Sequence, residues 1–212
     1  MGRSDPIVFS NYSGMIPDKN YKSVCFFGFT GPNDFTKTIR SKYTFFFDIN
    51  LNSWNINDDH WIIGDHKFDL IVCTRCPYFS QDPKAFFRKC HEILLPGGQI
   101  FVDWGLGDHW RFSDYKIGWK KGEEHEYAYF DDNFLWSTVW HESFENHPEF
   151  LKFEKWVEKF GYKDVKKAIE EEVPVITNLG DVNHLFNFSY NLLTLWEEAP
   201  QLYIMLLGDK KN

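Results

Sequence analysis

Two histidines stand in polar, acid-rich surroundings in the second half of the chain. His109 lies in GDHWRF, and His125 lies in GEEHEY between Glu124 and Glu126. Imidazole is the side chain whose ordinary pKa lies nearest neutrality, so each is a candidate general base. The two glutamates would raise the pKa of His125 and could orient its ring. His141, after Trp140, is a third candidate, and for all three a surface or core-rim role is the alternative. Arg75 and Arg111 could clasp an anionic group by paired hydrogen bonds, or simply lie on the surface. Asp108, His109, Glu123, Glu124, His125 and Glu126 are of types that ligate a divalent cation, but their spacing fits no established metal motif and no metal is expected. Cys73-x-x-Cys76 has no second pair with which to build a zinc site, so the four cysteines read as reduced thiols, three of them in a core.

The elements that must position such groups are clearest between Phe68 and Asp103. Phe68 to Cys73 is a short apolar run rich in branched residues, the pattern of a strand buried on both faces. Asp82 and Pro83 open a helix as N-cap and first helical residue, and Ala85, Phe86, Cys90, Ile93 and Leu94 give it one apolar face. Pro96-Gly97-Gly98 is read as stopping that helix and turning the chain into a second apolar strand, Gln99 to Asp103. Strand, helix and strand at this length make a right-handed parallel crossover. Upstream, Lys22 to Phe27 and Tyr43 to Ile49 read as strands, with a short helix expected at Asp34 to Lys42. Met1 to Asn20 shows no period and is expected to be an arm over the domain. Downstream, Phe134 to Phe160 is expected to be helical, interrupted at Pro148 and capped by Gly161, and Lys163 to Glu172 is a short charged segment without a firm assignment. Phe186 to Leu195 and Gln201 to Leu207 are expected to pair antiparallel at the end of the sheet.

This succession of FDLIV strand, DP-started helix, LLPGG and strand ending in an acidic residue resembles the class I S-adenosylmethionine-dependent methyltransferases, and in particular short, methyltransferase-11-like members. The resemblance spans roughly residues 22 to 104. It implies an α/β fold: a Rossmann-like doubly wound sheet, mostly parallel with a C-terminal antiparallel strand. It implies S-adenosylmethionine as cofactor, held first at the turn Gly28-Phe29-Thr30-Gly31, where the family has a longer glycine loop; plain turn glycines are the alternative. Asp48, followed by Ile49, stands where the family places an acidic residue on the ribose hydroxyls. Asn57 or Asp58 would reach the adenine, with Trp54 or Trp61 able to stack on it. Thr74 and Arg75 follow a central strand at the end where open parallel sheets bind ligands. Pro77-Tyr78-Phe79 replaces a Leu-Glu-His triplet, so no base is carried over from it. Methyl transfer from a sulfonium needs alignment and, for a protonated acceptor, a base; here that points to His109 or His125.

Composition sets the outer limits. The 212 residues suit one domain, 1–212, with residues 104–160 as an aromatic-rich inserted lid. A net charge of −8, with lysines scattered among carboxylates, gives no footprint for duplex nucleic acid. No apolar run reaches membrane-spanning length and the N-terminus lacks a hydrophobic signal core, so a cytoplasmic protein is expected. A small-molecule acceptor is the expected partner, with oligomeric state open. The rival expectation is a degenerate methyltransferase fold that binds a nucleotide or protein partner without catalysis. Another nucleotide enzyme is disfavoured, because the chain has no G-x-G-x-x-G and no P-loop lysine.

Overall fold

The central strand of the sheet is β3 (Phe68–Cys73), buried at every position but Asp69. That exception has a job: Asp69 Oδ2 accepts from the amides of Lys22 and Ser23, at 2.8 and 2.7 Å, and so ties the start of one neighbouring strand to β3. The structure is a computed structural model that describes residues 5–107, 137–144, 146–159, 175–196 and 200–212. Around β3 the main sheet has six strands: β1 (Tyr21–Phe27), β2 (Ser41–Phe47), β3, β4 (Leu94–Gly107), β7 (Phe186–Trp196) and β8 (Pro200–Lys210), in the order β2-β1-β3-β4-β8-β7. Junctions among β2, β1, β3 and β4 are parallel, while β8 runs antiparallel to both β4 and β7. The expected mostly parallel sheet with an antiparallel end is therefore what the chain builds. β5 (Ser137–Trp140) and β6 (Val175–Asn178) form a separate parallel pair.

Helices cover both faces. On one side α3 (Pro83–Ile93) buries Phe86, Phe87 and Cys90 against Ile71, Ile100, Val102 and Trp104. Its start follows the sequence: Asp82 Oδ1 accepts from the Ala85 amide at 2.9 Å, with Pro83 at the first helical position. On the other side α1 (Asp5–Met15) packs with Val24, Phe26, Leu70, Val72, Phe101 and Met205. Complete burial of a Phe or Leu side chain contributes roughly 1.5–3 kcal/mol, so these two layers dominate the stability. No helix among the described residues is long and apolar enough to cross a membrane.

Several local expectations need correction. Residues 5–15 form a helix and not an irregular arm; Val8, Tyr12 and Ile16 recur at four-residue spacing and are all buried, a period diluted by the poor helix formers Ser10, Asn11, Ser13 and Gly14. The helix expected at Asp34 to Lys42 shrinks to a 3-10 turn, Thr36–Thr38. Asn33 and Thr36 exchange two 2.8 Å bonds there, Ile39 is already extended, and β2 begins at Ser41. Helix α3 ends at Ile93, ahead of the Pro-Gly-Gly, which lies inside β4 as a bulge: Leu94 pairs with Phe68 and Gln99 with Leu70, leaving Leu95 to Gly98 opposite Asp69. Within Phe134 to Phe160, Ser137–Trp140 is strand, and α4 (Pro148–Lys159) starts at the proline expected to interrupt it. Trp104, expected to open the lid, continues β4 and pairs with Ile204. Gly161, Lys163 to Glu172 and residues 108–136 of the expected insertion lie outside the described residues.

Candidate functional site

Strand order reverses at the β1/β3 junction, because β1 leads outward to β2 and β3 leads the other way to β4. In an open parallel sheet such a switch point leaves a crevice at the carboxyl ends of the strands. Gly28, directly after β1, has φ +79°, and its amide donates to the Phe47 carbonyl at 2.8 Å, binding the ends of β1 and β2 together. A Cβ on Gly28 would lie 2.8 Å from the Cβ of Cys76. Cys76 belongs to the loop after β3, so this turn's close approach is made to the protein itself. Phe29 turns back on the sheet, edge-on to Phe26 at 5.5 Å, whereas Thr30 is exposed and Gly31 has open space around it.

Asp48 directly follows β2 and caps α2 (Ile49–Asn52), accepting from the Asn50 amide through Oδ1 at 2.8 Å. Among the described residues its second oxygen takes no hydrogen bond, so this half-buried carboxylate keeps an acceptor at the crevice. Ile49 points outward and is 60% exposed.

After β3, Thr74 is buried and its Oγ1 has no hydrogen-bond partner among the described residues. Arg75 takes φ +56°, left-handed for a residue with a side chain, and its amide donates to Asp103 Oδ1 at 2.5 Å. Asp103 Oδ2 accepts from the Tyr12 hydroxyl of α1. Burial pushes the Asp103 carboxyl up to about 6, opposed by the Tyr12 hydrogen bond and by Arg75. Burial and the Asp103 carboxylate together raise the Tyr12 phenol. Burial likewise raises the Cys73 thiol, which shares a hydrogen bond with Cys76. All four cysteines are free thiols, as the sequence implied.

Gly28, Asp48, Thr74 and Arg75 therefore come together. The side-chain amide of Asn57 is engaged on the next loop, donating to the Phe79 carbonyl at 2.9 Å and accepting from the Gln81 amide at 2.8 Å. Asp58 offers its carbonyl to Lys89 Nζ. Trp54 is buried and stacked on Phe27 at 4.4 Å, while Trp61 lies half-buried against Phe27 with Lys89 over its ring, so the first indole is core and the second packs on its rim. His109 and His125 lie outside the described residues. The described residues contain no cluster of three metal-ligating side chains. A cavity of about 590 Å³ lies away from this crevice, at the amino ends of β1 and β2, where Arg40 pairs with Asp18 and Lys37 with Asp34. Two site residues escaped the sequence reading: Asp103, noted only as the acidic end of a strand, and Tyr12, whose signal was the buried four-residue spacing.

A family model described as a methyltransferase domain matches residues 57–102, which include Thr74 and Arg75 but neither Gly28 nor Asp48. Among solved structures the chain is similar to the YcgJ protein from Bacillus subtilis, with a TM-score of 0.52 at 8% identity over 98% of this chain and 99% of that one. It is also similar to the N-methyltransferase NodS from Bradyrhizobium japonicum in complex with S-adenosyl-L-homocysteine, with a TM-score of 0.50 at 9% identity over 99% and 87%. No curated protein matches the sequence. The fold is that of the class I methyltransferases.

Proposed function

We propose that this chain, a methyltransferase-domain protein on the class I fold, uses S-adenosylmethionine to methylate a small-molecule acceptor at the carboxyl ends of β1, β2 and β3. The observation that carries the reading is the pair of unused polar groups at the switch point: the second oxygen of Asp48 and the buried hydroxyl of Thr74. A buried hydroxyl without a partner costs about 1–3 kcal/mol, so a polar ligand that bonds Thr74 would recover that penalty. These residues fit a nucleoside. When bound, S-adenosylmethionine supplies a methyl carbon already activated by its sulfonium. Asp48 accepts from ribose hydroxyls, and Thr74 hydrogen-bonds a polar group of the ligand. His109 or His125 takes the proton of an acceptor that starts protonated. The four free thiols support a reducing, cytoplasmic setting.

One observation favours the second reading, binding without transfer. Where a helix was expected after the glycine turn there is only the three-residue 3-10 turn, and Gly28 is packed on Cys76. Calorimetry with S-adenosylmethionine and S-adenosylhomocysteine tests both. Binding of the pair, with conversion of one to the other in the presence of small-molecule extracts, supports transfer. Binding without conversion supports the second reading, and no binding of either overturns the cofactor assignment.

A further inference from the structure

We propose that Asp103 is a positioning residue: it ties Tyr12 of α1 to the amide of Arg75 and so fixes the loop 74–76 that lines the crevice. The inference rests on the methyltransferase reading above for the ligand that this loop would serve.

Asp103 sits one residue beyond the last β3–β4 pair, Cys73 with Val102, and therefore level with Thr74. Its carboxylate is 1% exposed and both oxygens are used by chain segments far apart in sequence, Tyr12 and Arg75. Tyr12 is itself fully buried, with the rings of Phe9, Phe35 and Phe101 within 5.9 Å. The phenol is thus held rigidly, and it holds the carboxylate in turn. Arg75 needs such a partner, since a left-handed conformation costs a non-glycine residue stability unless its surroundings impose it. A carboxylate receiving its amide supplies that constraint. Among the described residues the titratable and charged groups facing Asp103 are Tyr12 from α1, Arg75 from the loop and Cys73 from β3, with Tyr203 of β8 facing Tyr12. Arg75 is the single cation among them. Burial alone would favour a neutral side chain at this position, so the carboxylate serves geometry better than it serves the fold.

The test uses Asp103→Asn and Tyr12→Phe in the full chain. In the unsubstituted protein the Arg75 amide resonance should move as pH crosses about 6, and in Asp103→Asn it should stay still. Tyr12→Phe should speed amide exchange in α1 and displace the same resonance. Affinity for S-adenosylhomocysteine at neutral pH should fall by about tenfold or more in Asp103→Asn, the size of one charge-assisted hydrogen bond. Its melting temperature should hold or rise, whereas a merely structural role would lower both together. If the unsubstituted protein binds no S-adenosylhomocysteine, the methyltransferase reading fails and the Arg75 resonance alone decides the positioning role. An Arg75 amide indifferent to pH and to both substitutions overturns it.

Discussion

Gly28 and Cys76 touch across the switch point: a Cβ on Gly28 would lie 2.8 Å from Cys76 Cβ and 3.2 Å from its Sγ. The turn after β1 therefore requires glycine twice, for its φ of +79° and for this contact. Gly28→Ala should cost about 1–3 kcal/mol of stability in denaturant unfolding. Adding Cys76→Gly should recover part of that loss, because it removes the contact and leaves the backbone strain. A neutral Gly28→Ala would show that the turn relaxes away from Cys76 in solution.

Asp48 has two separable duties. As N-cap of α2 it serves the Asn50 amide, and its other oxygen is the proposed ribose acceptor. Asp48→Ala should weaken S-adenosylhomocysteine binding by roughly 1.5–3 kcal/mol and also lose the cap, worth about 0.5–2 kcal/mol of stability. Asp48→Ser keeps a capping oxygen without the second acceptor. It should therefore hold the melting temperature near that of the unsubstituted protein and still bind weakly; full affinity in that variant would remove Asp48 from the site.

The pH dependence of stability should carry the mark of Asp103. Its carboxyl stands at about 6 in the folded chain against an ordinary 3.8, so the native state keeps a proton that the unfolded chain has released. Stability from this group is full below about 3.8 and is lost as pH rises through about 6, a change of roughly 3 kcal/mol in total. Urea unfolding of the intact protein should show the decline, and Asp103→Asn should flatten it. An unchanged slope in that variant would assign the decline to other groups.

What was legible in the sequence followed from strong local signals. Phe68 to Asp103 could be read because burial on both faces leaves unbroken apolar runs, and because Asp82-Pro83 satisfies helix-start chemistry without outside help. The final antiparallel pair is legible from a different signal, the loose apolar–polar alternation of Phe186 to Leu195 and Gln201 to Leu207. Tyr12 and Asp103 were not, since their partnership spans 91 residues and neither carries a local pattern that names the other. Asn57 is ambiguous in the sequence because a side-chain amide looks the same whether it awaits a ligand or braces the Phe79 to Gln81 loop, as it does here. Asp48 was found at the right strand end, yet nothing local distinguishes a capping carboxylate from a ribose acceptor, and the structure allows both.

Trp104 offers a last prediction, drawn from the extension of β4 past its expected end. The indole is fully buried against Phe87 at 5.5 Å and Phe86 at 6.1 Å, and its Nε1 has no hydrogen-bond partner among the described residues. Packing and polarity thus pull in opposite directions. Trp104→Ala removes the whole ring beneath α3 and should cost about 3–5 kcal/mol. Trp104→Phe also gives up volume, but it discards a buried donor whose desolvation costs about 1–3 kcal/mol, so the two effects should nearly cancel. Equilibrium denaturation of the two variants checks this. If Trp104→Phe falls as far as Trp104→Ala, the indole N–H is bonded in solution, and the carboxyl end of β4 holds a polar partner for it.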